Sequence, residues 1–263
     1  VTVLVGMPEA TYNERTNSRG AQQRQYDYFG KSSSIRCGAE AFLVDYGPDR
    51  TTGAHFHSVD QFQVFFGSEG ARYQRHQIPE VELHYADAFV TYGPFSASGE
   101  RMRFFTLRAR EGQFKGEMPS ERHKLRYRGR RGLHLDVNDR LGRDRLERAL
   151  PAGRTVEVPL IDEHADGLAA TLISAGPGSE IVLPSTVATS GRYFCVLAGA
   201  LLAGTRPVGP MALGWSAPDE PEQTVHTDHV AVTTVLTMTF PFPATPDAVD
   251  SRDGERDTRP TSE

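Results

Sequence analysis

Short runs in which apolar and polar positions alternate dominate this chain, and a period of two is the pattern of a strand with one covered face. Phe42, Val44 and Tyr46 alternate with Leu43 and Asp45. Val64-Phe65-Phe66, Ala88-Phe89-Val90 and Arg103-Phe104-Phe105-Thr106-Leu107 predict further strands in the first half. Residues 167–173 and 191–197 read the same way in the second half. The clearest pattern spans 230–240. There Val230, Val232, Leu236, Met238 and Phe240 share one face, and Thr233, Thr237 and Thr239 take the other. Gly, Pro and Asp turns separate these runs. The pattern predicts an all-β protein of sandwich or barrel type.

One helix interrupts it. Asn138 or Asp139 caps a segment running to Leu150, with Leu141, Leu146 and Leu150 apolar and Pro151 as the stop. Asp144 and Arg148 stand at i and i+4 and add a modest supporting pair. Ahead of it, residues 122–131 are rich in Lys and Arg and read as a solvated connector between two β domains.

With 263 residues, the chain is long enough for two ordinary β domains. Its 14 Phe and 9 Tyr supply the bulk for a packed core. A net charge of −5 argues against nucleic acid as a partner, because such a footprint needs a basic excess. No apolar run approaches the roughly 20 residues of a membrane-spanning helix. Val1 is not a usual initiator, so sequence ahead of it is expected. Cys37 and Cys195 do not make a disulfide framework, and buried free thiols in a cytoplasmic protein are the expectation. The chain divides into an N-terminal arm (1–30), a first β domain (31–112), a basic and helical connector (113–155), a second β domain (156–245) and a disordered tail (246–263). The polar arm wraps the first domain or pairs with a second copy, so a monomer and a homodimer are both open, and the arm favours the homodimer. A weak echo between Gln61–Gly67 and Arg192–Gly199 suggests that the two β domains are diverged duplicates.

The chemistry centres on His55-Phe56-His57. Two histidines at i and i+2 on a strand point to one side, which offers a divalent transition metal two ligands. Gly53 precedes the pair, Gln61 follows four residues after His57, and Gly67 closes an aromatic strand. No Gly-x-Ser-x-Gly elbow, phosphate loop, Cys-x-x-Cys or His-Glu-x-x-His competes with it.

This order resembles the first signature motif of the cupin superfamily. The resemblance covers roughly residues 40–110, and more faintly 165–240. It implies two tandem cupin-type jelly-roll barrels joined by one short helix, the first with a metal site. Gln61 stands where the motif usually has Glu. Its amide oxygen would be a neutral ligand and would favour an anionic substrate. The second motif resembles Ala86–Pro94, but the histidine expected near Ser96 or Ala97 is missing. His84, ahead of His76, is the expected third imidazole. The ligand set implied is therefore His55, His57, Gln61 and His84, with Asp60 and Gln63 as partners that orient the imidazoles. In the second half Thr186, Ala188 and Arg192 fall on the ligand positions, so that barrel is expected to hold no metal. His226 and His229 read as surface loop residues.

The resemblance implies a mononuclear metal enzyme acting on a small organic molecule. Iron(II) with open positions would bind a chelating substrate together with O₂, giving an oxygenase-type reaction. Tyr85 and Tyr92 are the expected pocket residues for proton donation or positioning, and the phenylalanines after the motif would keep the barrel dry. A second reading is a non-redox zinc, manganese or nickel enzyme of lyase, isomerase or hydrolase type. A third is a small-molecule-binding protein without turnover. Arg72, Arg75, Arg101 and Arg103 would favour a carboxylate or phosphate if they faced inward.

Overall fold

The computed structural model describes residues 3–16, 22–78, 80–112, 114–126, 131–138 and 150–242. The expected helix from 138 or 139 to 150 and the expected tail from 246 lie outside these residues, save for their edges.

Two large antiparallel sheets carry the molecule. The first is ordered Gly132–Asp136, Val81–Ala86, Gln61–Phe66, Met102–Arg108, Glu40–Tyr46, Gln22–Phe29, Thr11–Thr16. The second is ordered Val3–Val5, Leu213–Ser216, Arg192–Ala198, Thr233–Thr239, Ala169–Ala175, Thr155–Ile161. Position by position, the six strands of the second sheet repeat the first six of the other, so the weak sequence echo is a repeated topology. Each sheet folds over against shorter strands. In the first half these are His55–His57 with Lys115–Glu117, and Phe95–Ser96 between Thr51–Thr52 and Arg72–Tyr73. In the second half they are Glu180–Leu183 with Gln223–His226, and Leu201–Ala203 with Arg206–Val208.

Sheet membership cuts across the divisions read from the sequence. Residues 1–30 do not form a separate arm: Val3–Val5 completes the second sheet, and Thr11–Thr16 with Gln22–Phe29 extends the first. Residues 113–155 are likewise more than a connector, because Lys115–Glu117 and Gly132–Asp136 are strands of the first half. Arg131, at the end of the basic run, bridges Asp87 and Asp166 and so ties the halves together.

Three apolar clusters fill the space. One lies between the sheets, where Leu43, Phe62, Leu83, Tyr85 and Phe105 meet Leu172, Tyr193, Trp215, Leu236 and Phe240. One fills the first barrel around Phe65, Phe95, Phe104, Tyr46 and Tyr73. One fills the second around Phe194, Val196, Ile181 and Leu201. The central strands of both main sheets are thus covered on both faces. The 230–240 pattern therefore looked half-exposed and is not. Leu236, Met238 and Phe240 face the other sheet, and Thr233, Thr237 and Thr239 are buried inside their own barrel. The strand starts at Thr233, and Val230 is 85% exposed in the preceding turn. Both cysteines are free, Cys195 buried and Cys37 partly so. No helix among the described residues is long and apolar enough to cross a membrane.

Candidate functional site

The inner face of the first barrel is polar along a continuous line. Gln61, Gln63 and Phe65 point inward from one strand by alternation, and Glu82, His84 and Ala86 do so from its neighbour. Gln63 pairs with His84 and Phe65 with Glu82 in the register. On the far side of that neighbour, His84 lies opposite His134 and Glu82 opposite Asp136. Five of the chain's nine histidines come together here: His55, His57, His76, His84 and His134.

His55 and His57 share one side of their strand as alternation requires, with ring centroids 5.3 Å apart. His55 Nδ1 donates to Gly53 O at 2.8 Å, which leaves Nε2 as its lone-pair nitrogen. Their neighbourhood differs from the expected ligand set. Gln61 Oε1 accepts from Arg108 Nε at 3.0 Å and Nη2 at 2.8 Å. Gln61 Nε2 donates to the Tyr92 hydroxyl at 2.6 Å. Arg108 Nη2 also lies 3.2 and 3.3 Å from the two ring nitrogens of His57, and Nη1 is 2.5 Å from Glu40 Oε2. Burial, then the Arg108 charge, push the His57 imidazole down to about 2, and burial takes His55 to about 4. A neutral amide with no carboxylate beside it is a good partner for a guanidinium, and Gln61 is used that way.

Of the other expected residues, Tyr92 is where a pocket residue should be. Its ring is 4.4 Å from that of His55 and 5.0 Å from that of His84. It therefore stands between His84 and the pair. Tyr85 is not in the barrel interior: adjacent to His84 in sequence, it points to the opposite face. It packs on Phe62 between the sheets and donates to Asp87 at 2.7 Å. Asp60 faces away from the pair, accepting from Ala88 N at 2.7 Å, whereas Gln63 sits inside beside His84. Arg72, Arg75 and Arg103 are exposed, and Arg101 and Arg103 pair with Asp45.

A second group of ligating atoms closes the other end of the line. His76 Nε2 is 3.0 Å from Glu82 Oε1 and 2.9 Å from His134 Nε2, and His134 Nε2 contacts Glu82 Oε1 directly. All three ligand atoms lie within 4.8 Å of one another, the one such group among the described residues. Tyr73 stacks on His134 with centroids 4.0 Å apart, and its hydroxyl is 3.2 Å from His84 Nε2. Glu82 Oε2, His84 Nδ1, His134 Nδ1 and Gln63 Oε1 are buried without a hydrogen-bond partner. Burial lowers His84 to about 3 and His134 to about 4, so both imidazoles are neutral near pH 7.

The sequence reading weighed His76 only as a lesser alternative and missed Glu82, His134 and Arg108. A signal existed for two of them. Glu82 and His84 alternate inward along one strand, and His134 and Asp136 alternate with Leu133 and Leu135 in the segment read as a connector.

No protein-family model matches the chain, and no curated protein does. Solved structures do. A putative dioxygenase from Nostoc punctiforme superposes with a TM-score of 0.63 at 11% identity, over 93% of this chain and 84% of that one. A bacterial pirin from Escherichia coli, solved with nickel(II), gives 0.52 at 10% identity over 92% and 99%. Salicylate 1,2-dioxygenase from Pseudoaminobacter salicylatoxidans, solved as a mutant with gentisate, gives 0.52 at 13% identity over 89% and 75%. At these identities the likeness concerns the fold, and that fold is the two-barrel cupin.

Proposed function

We propose that this protein is a metal-dependent cupin enzyme that acts on a small organic molecule in its first barrel. The single observation that carries this reading is the segregation of ligating side chains. Five histidines and Glu82 converge in the first barrel. Among the described residues, the buried polar side chains of the second half are serines, threonines and Arg192. The second barrel is a structural partner in this reading.

Imidazole and carboxylate donors with positions left open are the set that suits a mononuclear iron(II) centre, which supplies simultaneous binding of a chelating substrate and O₂. Around it, the chain's own residues provide the rest. Phe65, Phe95 and Phe104 keep the interior dry and so strengthen every polar contact made there. Burial pushes the Tyr92 phenol above its ordinary range, so it stays protonated. Its oxygen accepts from Gln61, and its proton remains available to a molecule bound beside it in the barrel. Salicylate 1,2-dioxygenase among the similar structures supports the oxygenase reading. Oxalate decarboxylase from Bacillus subtilis, at a TM-score of 0.53 and 10% identity, supports the second reading, a non-redox lyase-type reaction.

The test is elemental analysis of protein purified with and without oxygen, followed by O₂ uptake by the iron(II)-loaded protein with small aromatic and hydroxy acids. One equivalent of metal is expected, with O₂ consumed only when an acid substrate is present. Turnover that proceeds equally without O₂ would transfer the assignment to the non-redox reaction. A protein that retains no metal would end both.

A further inference from the structure

The expected seat of a metal, the His-x-His pair, does not fit one. Arg108 already occupies it. Its three guanidinium nitrogens engage Glu40, Gln61 and the edge of His57. A guanidinium stays charged at every accessible pH. A divalent ion on His57 would face that fixed charge at close range and would find the Gln61 carbonyl already spoken for.

We propose that the metal of the first barrel is instead held by His76, Glu82 and His134. The inference rests on the reading that this barrel works with a metal, and it moves the centre to the other end of the polar line. Three strands deliver the donors: the short His76–Gln77 strand, Val81–Ala86 and Gly132–Asp136. His76 Nε2 lies 3.0 Å from Glu82 Oε1 and 2.9 Å from His134 Nε2, and those two atoms are in direct contact, so three donor atoms gather around one point. Two imidazoles and one carboxylate make the facial set that leaves further coordination positions free. Glu82 supplies the second argument. Its side chain is 2% exposed, and its Oε2 has no hydrogen-bond partner. A buried carboxylate with an idle oxygen is costly unless a cation accompanies it. Tyr73 holds the plane of His134 by stacking and keeps His84 behind the site through its hydroxyl. His76 is half-exposed, which gives an ion a route in from solvent.

Calorimetric titration of the chelator-treated full-length protein with zinc(II) and cobalt(II) tests this, with no need for a substrate. One site per chain is expected. His76→Ala and Glu82→Gln should each weaken it by about a hundredfold or more, beyond the 10–100-fold typical of outer-sphere changes. The double variant His55→Ala/His57→Ala should stay within about threefold. His76 lies at the surface, so His76→Ala remains informative even if the buried variants fold poorly. Its metal-free melting temperature should match the parent's. Binding that survives His76→Ala but disappears in the His55/His57 double variant would overturn the location and leave the metal-enzyme reading standing. No binding in the parent would overturn both, the three side chains then being a hydrogen-bonded cluster only.

Discussion

The two barrels share one strand order and differ in what they put inside it. Where the first barrel sets Gln61 beside Arg108, the second sets Arg192 opposite Thr239, with Arg192 Nε donating to Thr239 Oγ1 at 3.0 Å. Each barrel thus keeps a buried guanidinium across the same pair of strands, but supplies it from the opposite strand. Farther along, Gln63, His84 and His134 of the first barrel correspond by register to Phe194, Gly214 and Leu4 of the second. The Phe194 ring lies over Gly214 so closely that any side chain there would overlap it. One lattice of backbone pairs accommodates either a polar line able to hold ligands or an aromatic plug. The difference is made at a few inward positions.

The largest effect expected from breaking this comparison is on the arginines. Arg108→Met leaves the Gln61 carbonyl without its donor and Glu40 with only the Gly112 amide, and should cost about 3 kcal/mol by denaturant unfolding. Arg192 has only neutral partners, Thr239 and backbone carbonyls such as that of Pro184. Arg192→Met should therefore cost clearly less, about 1 kcal/mol, because losing a buried charge offsets the lost bonds. Equal costs would show that the ion pair does not distinguish the barrels.

Acid should weaken the first barrel next. In the folded chain His55 titrates at about 4 and His57 at about 2, against an ordinary value of 6.5. Both are neutral when folded, so the unfolded chain takes up protons first as pH falls. The stability they contribute is complete above 6.5 and is lost from there down through the folded values. For His55 this amounts to about 3 kcal/mol by pH 4. His164, His226 and His229 in the second half are exposed. Unfolding free energy measured from pH 7 to 4 should fall steeply in the parent and less in His55→Gln. Parallel curves would sink the assignment.

Overpacking the plug comes next. Gly214→Ala forces the Phe194 ring aside, at about 2 kcal/mol, readable as a lower denaturation midpoint. The smallest effect is local. Removing metal should speed amide exchange in Gly132–Asp136, which carries His134, and leave its counterpart Val3–Val5 unchanged. Equal change in both strands would argue against a site confined to the first barrel.

The all-β class and the shared side of His55 and His57 were legible in the sequence because period-two alternation encodes them directly, and the duplicated architecture was legible in the echo between 61–67 and 192–199. The same rule places Tyr85 on the face opposite His84, toward the other sheet and out of the pocket. Arg108 was harder. It ends a strand 47 residues beyond Gln61, and only strand order makes them neighbours. His134 was hidden for a different reason. Its alternating segment is brief and follows a basic run, so charge outweighed pattern. The boundary at Val230 failed because threonines buried inside a barrel look like a solvent face.

The strand Val3–Val5 has a consequence for how the chain is made. It pairs with Leu213–Ser216, so it leaves the ribosome long before its partner does. The first barrel, by contrast, has every strand of its main sheet in hand once Asp136 has emerged. During synthesis the half with the five clustered histidines can close while the other half waits with an open edge. Any cleavage that removes Val3–Val5 would leave that edge unpaired.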